Sequence, residues 1–247
     1  MDRMLYLAMS TAKQTMNAQA ANTNNLANVS TNGFRADLEQ FRSMPVFGEG
    51  MPSRVYAMSE RHAIDFTPGP IDATGRDLDI AIRGEGWIAV QGRDGNEAYT
   101  RAGDLHMDDT GLLTTGAGHP VLNEDGGPIV IPPAEQVVIG GDGTISIRPL
   151  GQDANLLAEV GRIKLVNPDP ADLTKGEDGL IRLFEGGDSP ADAEVGIVTG
   201  ALEGSNVSVV QAMVKMIELQ RQYEMQVKMM NTAKENDQAT DQMLRIS

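Results

Sequence analysis

The chain has 247 residues, no cysteine, and 35 acidic against 20 basic side chains, a net charge of −15. That charge excludes a sequence-independent nucleic-acid binder and a polybasic membrane-surface protein, both of which need a basic face. The missing thiols exclude disulfide frameworks, thiolate zinc sites and cysteine nucleophiles. The charge is unevenly spread. Residues 51–200 hold −14 of it, with 23 of 27 glycines and 11 of 12 prolines, whereas the two ends hold 11 of 14 methionines. Ends and middle are built by different rules.

At the N-terminus the apolar stretch behind Arg3 runs only from Met4 to Met9 before Ser10, Thr11 and Lys13 interrupt it. That is too short for a secretory core, so no cleaved signal peptide is expected. No run of ~18 apolar residues predicts a membrane span. Residues 2–28 predict a helix without glycine or proline. Leu5, Ala8, Met9, Ala12, Met16, Ala20 and Leu26 recur at spacings near three and four. Asn28 to Gly33 stops it, because asparagine competes for backbone hydrogen bonds and Gly33 offers a positive φ. Residues 41–75 carry Pro45, Pro52, Pro68 and Pro70 without periodicity and read as an extended connector.

The middle reads as β. Segments 77–82 and 144–147 alternate polar and apolar, and 87–90, 128–131, 137–139 and 162–166 are further short strands. Glycine-rich turns at 92–95, 109–111, 124–127 and 140–143 separate them, and no βαβ alternation occurs. Residues 207–245 predict a second helix, capped by Asn206 or Ser205, with a stripe of Val209, Met213, Met216, Ile217, Tyr223, Val227 and Met230. The expected class is therefore α+β. The long terminal helices pair with each other or dock on the middle, which is a mostly antiparallel sandwich or barrel-like domain. The expected divisions are 1–40 (helix and junction), 41–75 (connector), 76–200 (β-rich outer domain) and 201–247 (C-terminal helix). Two such helices carry more apolar stripe than one seam covers, so each wants another partner.

The chemistry-bearing motifs are weak. Gly84-Glu85-Gly86-Trp87-Ile88-Ala89 fits a dinucleotide fingerprint, but a strand-like run follows where a helix must open. Ser10-Thr11-Ala12-Lys13 matches an acylating-serine motif without its supporting motifs. His62, His106 and His119 lack ligand spacing, and Asp104, Asp108 and Asp109 do not follow a calcium loop. Two glycosylation sequons, at Asn28 and Asn206, occur easily by chance. The sequence predicts no catalytic residue, no metal site and no cofactor.

Three blocks do carry a resemblance. Asn24-Asn25-Leu26-Ala27-Asn28-Val29-Ser30-Thr31-Asn32-Gly33-Phe34-Arg35 resembles the near-N-terminal signature of flagellar rod and hook proteins. Asp77 to Trp87, followed by Tyr99-Thr100-Arg101-Ala102-Gly103-Asp104, resembles that family's central block. Leu202 to Val207, followed by Met216 to Glu224, resembles its C-terminal block. The blocks span nearly the whole chain in family order. The opening ten residues and the length are most similar to proximal-rod members. Thr11 and Trp87 depart from the glycine and phenylalanine common there.

The resemblance implies a structural axial subunit of the bacterial flagellar basal body. It implies export by the flagellar type III apparatus and polymerisation in the periplasm with copies of itself and with rod subunits above and below. The terminal helices, paired as a coiled-coil-like inner domain, would form the inner tube, with the β domain outside. On that reading Leu5, Met9, Ala12, Met16, Leu26, Val209, Met213, Met216, Ile217, Tyr223, Val227 and Met230 pack subunits. Asn24, Asn25, Leu26, Ala27, Asn28, Thr31, Gly33, Phe34 and Arg35 form the motif at the helix exit. The alternatives are another rod or hook subunit of the family and a non-catalytic binding module whose end helices simply pair.

Overall fold

A computed structural model describes residues 3–38, 41–45, 55–59, 63–149 and 157–246. The chain forms two compact units. One gathers Met1–Val29, Ala36–Asp65 and Val207–Ser247; the other gathers Ser30–Arg35 and Phe66–Asn206. The chain therefore crosses between them four times, after residues 29, 35, 65 and 206.

The first unit is built on two helices, α1 (Arg3–Ala27) and α2 (Val209–Ile246). In α1 an alanine-rich run without glycine or proline favours the helix, and Asn28 closes it. The Asn28 amide N–H and its side-chain Nδ2 both donate to the Asn24 carbonyl, at 3.1 and 3.0 Å, which occupies an acceptor the helix end leaves open. In α2 the cap is Ser208 rather than the expected Asn206 or Ser205. The Ser208 carbonyl accepts from Ala212 N at 2.9 Å, and its Oγ faces Gln211 N at 3.5 Å. Asn206 is engaged elsewhere, its Nδ2 donating to the Thr67 carbonyl.

The helices run side by side, and Asn22 Nδ2 donates to the Ala212 carbonyl at 2.8 Å. That bond places the end of α1 beside the start of α2, so the pair is antiparallel. On α1 the seam uses Leu5, Ala8, Ala12, Thr15, Gln19, Asn22 and Leu26. On α2 it uses Ala212, Met216, Leu219, Tyr223, Gln226, Met230 and Ala233. Both series step by alternating threes and fours. Ala8, Ala12, Ala212 and Ala233 are buried, and their small side chains let the backbones approach. Thr15 is buried but satisfied, its hydroxyl donating to the Thr11 carbonyl. The apolar stripes read from sequence therefore merge two faces. Met9, Met16, Val209, Met213 and Ile217 lie outside the seam and are exposed.

Within the span 41–75, expected to be a connector, the structure has strands. Phe41–Pro45 pairs antiparallel with Val55–Ser59, and Asp37–Leu38 with Ala63–Ile64, in the helical unit; Ile71–Ala73 belongs to the β unit. Proline here ends strands rather than abolishing them, Pro45 being the last residue of its strand.

The β unit centres on a five-stranded antiparallel sheet in the order Leu165–Val166, Trp87–Gln91, Glu97–Thr100, Ile181–Leu183, Leu173–Lys175. The run Trp87-Ile88-Ala89-Val90 is buried throughout because both sheet faces are covered. Ile88 and Val90 join Ile80, Leu105, Val121, Ile145 and Ile163 in one apolar cluster; Trp87 and Ala89 join Tyr99, Leu122, Val166 and Ile181 in the other. Each fully buried isoleucine or valine stabilises the unit by about 2 kcal/mol. A three-stranded sheet, Ala134–Ile139, Thr144–Pro149 and Ala158–Arg162, adds Ile139, Ile145 and Ile147 to the first cluster. Among the described residues the sheets do not close into a barrel. The segment 128–131, expected as a strand, makes only isolated bridges at Pro128 and Val130.

A buried polar group ties the loop at Ser189 to the sheet. Lys164 Nζ lies 2.6 Å from Glu97 Oε2, and Ser189 N donates to the Tyr99 hydroxyl at 2.9 Å. Burial, and after it the Glu97 charge, pushes the Tyr99 hydroxyl far above the ordinary tyrosine value. The strand Ala201–Glu203 pairs with Ile71–Ala73 and sets Glu203 opposite Ile71.

Candidate functional site

Two features stand out: the places where the chain crosses between units, and the helix faces outside the seam.

All four crossings are tied within the β unit near Glu203, which is 1% exposed. On the first excursion, Ser30–Arg35, Gly33 N donates to the Glu203 carbonyl at 2.7 Å and Arg35 Nη2 reaches Glu203 Oε1 at 2.6 Å. On the segment entering after residue 65, Gly69 N donates to the same Oε1 at 3.0 Å. Glu203 itself leads into the last crossing, where Asn206 N donates to the Phe34 carbonyl at 3.3 Å. From the body of the unit, Arg101 Nη1 reaches Glu203 Oε2 at 3.0 Å, and its Nη2 donates to the Gly84 carbonyl at 2.8 Å. Burial presses the Arg101 guanidinium below the ordinary arginine value; Glu203 opposes that and Arg35 adds to it.

Two buried cations share one carboxylate, and Nε of both arginines and Nη1 of Arg35 have no hydrogen-bond acceptor among the described residues. Their company is Trp87. The guanidinium carbons of Arg101 and Arg35 lie 5.2 and 5.8 Å from its ring centroid, close enough for cation–π attraction. Phe66 packs edge-on against the same indole at 5.9 Å. Lys175 completes the arrangement, with Nζ 3.9 Å from the Phe34 ring centroid and donating to the Arg35 carbonyl at 2.8 Å.

The motif residues divide by unit. Gly33, Phe34 and Arg35 serve the β unit. Gly33 needs to be glycine twice over: its φ is +66°, and a Cβ would fall 2.2 Å from the Arg101 carbonyl carbon. Thr31 is exposed, and its carbonyl accepts from Phe34 N at 3.3 Å. Asn25 serves the helical unit, where its side chain imitates a strand partner. Nδ2 donates to the Asp37 carbonyl at 2.9 Å, and Oδ1 accepts from Asp37 N at 2.8 Å. Asn24 and Asn28 end α1, Leu26 sits half-buried on the seam, and Ala27 is exposed. The sequence reading missed Glu203, Arg101, Trp87 and Gly69 as members of this group. Trp87, Arg101 and Glu203 lie in the blocks that resemble the family and Gly69 does not, but only the fold brings the four together.

Outside the seam, α1 presents Tyr6, Met9 and Met16 around Lys13. The start of α2 presents Val210, Met213, Val214 and Ile217, with Val210 72% and Ile217 54% exposed. On each helix these residues recur at three- and four-residue steps between the seam positions. Of the other expected packing residues, Leu5 and Ala12 lie in the seam, and Met216, Tyr223, Val227 and Met230 are half-buried toward it. No helix among the described residues is long and apolar enough to cross a membrane.

Both the β unit and α2 carry matches to known protein families. Residues 81–147 match the family described as flagellar hook protein FlgE/F/G D1 domain, and residues 198–243 match flagellar basal body rod FlgEFG protein, C-terminal. The flagellar basal-body rod proteins FlgF of Escherichia coli strain K12 and Salmonella typhimurium are each 43% identical, over all of this chain and all of theirs. FlgF of Caulobacter vibrioides is 35% identical over the same full span, and FlgG of Bacillus subtilis 32% over 94% of this chain and 96% of its own. The chain belongs to the flagellar basal-body rod protein family, whose members are structural subunits rather than enzymes, and it is FlgF-like within that family.

Proposed function

We propose that this rod subunit occupies the proximal rod. It leaves the cytoplasm through the flagellar type III apparatus and assembles in the periplasm. It polymerises through its terminal helices, paired as a coiled-coil-like inner domain, and transmits torque in the assembled rod. The proximal reading is supported by the full-length likeness to FlgF of Escherichia coli and Salmonella typhimurium, each 43% identical.

The observation that carries polymerisation is the pair of apolar helix faces left outside the seam. One face starts α2 with Val210, Met213, Val214 and Ile217, and the other lines α1 with Tyr6, Met9 and Met16. The faces differ in sequence, so pairing one with the other on a neighbouring copy is head-to-tail, the contact type that builds helical arrays. Methionine suits such a contact, because its flexible thioether adapts to neighbours that do not repeat perfectly. The concentration of acidic charge between residues 51 and 200 keeps like-charge repulsion away from the helices.

The test is the double substitution Met213→Asp/Ile217→Asp in a strain whose only copy carries it. Both side chains are exposed, so the purified variant keeps the parent Tm to within a few degrees. Basal bodies isolated from the strain lack the rod beyond this subunit, and swarming is lost. Normal swarming and intact rods would refute polymerisation through these faces.

A further inference from the structure

One residue, through its carboxylate or its main chain, recurs at all four crossings. The Glu203 carbonyl holds Gly33, Oε1 holds both Arg35 and Gly69, and Oε2 holds Arg101 in the body of the β unit. The residue also heads the final exit through Gly204, whose N–H donates to the Pro70 carbonyl at 2.8 Å. Both acceptor oxygens and the carbonyl are in use, and the side chain is 1% exposed. The close approach is backbone to backbone: a Cβ on Gly69 would lie 2.1 Å from the Gly204 carbonyl oxygen. A carboxylate taken out of water is costly unless its partners are complete, so losing it removes the point that the segments share.

We propose that Glu203 is a positioning residue, a common anchor that makes the four crossings open and close as one. Load entering the β unit along any one of the four segments is then borne by all of them. What that load is rests on the rod reading; the anchor itself does not.

The experiment uses the purified full chain and amide hydrogen exchange read residue by residue, so it stands whether or not the rod reading does. In the parent, the amides of Gly33, Gly69, Gly204 and Asn206 share one opening equilibrium, with protection factors within threefold of each other. In Glu203→Gln these four lose protection at least tenfold. Ala89 and Leu122, which donate to the Lys164 and Ala89 carbonyls in the core, keep theirs. Arg35→Gln leaves Glu203 paired with Arg101, so its fold does not depend on an unpaired buried carboxylate. In that variant Gly33 and Asn206 lose protection and separate from Gly69. Two results would overturn the proposal. One is parent amides at the four crossings that already open independently, differing by more than tenfold. The other is a Glu203→Gln chain whose core amides fall together with the crossings, which is the mark of a merely structural residue.

Discussion

Gly33→Ala tests the junction most sharply because a control for it is built into the same unit. Gly33 and Gly75 both hold positive φ, +66° and +73°. A Cβ at Gly75 meets nothing within 4 Å, whereas one at Gly33 lies 2.2 Å from the Arg101 carbonyl carbon and 2.4 Å from Ala102 N. Gly75→Ala therefore costs only the left-handed backbone strain of an L-residue, about 1 kcal/mol. At Gly33 the strain is joined by a backbone overlap that is relieved only if residues 33–35 lift away. Lifting forfeits the hydrogen bond to the Glu203 carbonyl, about 1 kcal/mol net. It also stretches the buried Arg35–Glu203 pair, whose complete loss costs about 3 kcal/mol. The total for Gly33→Ala is about 2–5 kcal/mol, set by how far Arg35 moves. At roughly 2–4 °C per kcal/mol for a unit of this size, Gly75→Ala lowers Tm by about 3 °C and Gly33→Ala by about 10 °C. Thermal unfolding followed through Trp87, the single tryptophan, reads both, since its indole lies beside Arg35 and Arg101. Equal Tm shifts for the two substitutions would show that the close approach at Gly33 carries no energy.

Tyr99 supplies a pH dependence. Its folded value is raised above the unfolded value, so its contribution is fully present below about pH 10 and is lost as pH rises beyond that, where only the unfolded chain ionises. Of the four tyrosines, Tyr99 should add its phenolate absorbance only as the β unit unfolds. Tyr99→Phe should remove that late phase; a folded chain whose tyrosines all ionise in one step near pH 10 contradicts the assignment. In the helical unit, Asn25→Ala deletes both hydrogen bonds to the Asp37 backbone and should cost about 1–2 kcal/mol in urea unfolding. Asn25→Asp, which keeps the acceptor but sets a carboxylate oxygen against the Asp37 carbonyl, should cost at least as much; stability unchanged in Asn25→Ala means that the side-chain bridge contributes nothing.

What could be read from the sequence was what is periodic. The long helices showed at 2–28 and 207–245 because their apolar positions repeat, and they are observed at Arg3–Ala27 and Val209–Ile246. Trp87–Val90 showed because four apolar residues sit between turns. The division of each helix into a seam and an outer face did not show, since methionine serves both faces and both repeat at three- and four-residue steps. Which of Ala12 and Met16 is buried depends on where the other helix lies. The strands Phe41–Pro45 and Val55–Ser59 were hidden by flanking prolines that read as connector. The junction was half visible. Gly33 announced a positive φ and the motif announced itself as a unit. Glu203, by contrast, is one of 35 acidic residues, and nothing local says that it faces two arginines. Trp87 carried one signal, its departure from phenylalanine, and the two guanidiniums beside it give that departure a partner.

The sequence separations within these contacts set an order of events. Arg35 and Glu203 are 168 residues apart, and Asn22 and Ala212 are 190 apart. The core of the β unit is stitched more locally, with strand Trp87–Gln91 paired to its immediate successor Glu97–Thr100. Closing a long loop costs entropy before any contact repays it. A chain that emerges from its N-terminus can therefore mature its middle while α1 and the motif still wait. The last fifth of the chain arrives as the closing piece. It completes the junction from residue 203 and opens the helix seam at residue 212, so the outer helix faces take shape only once the rest of the chain has been delivered.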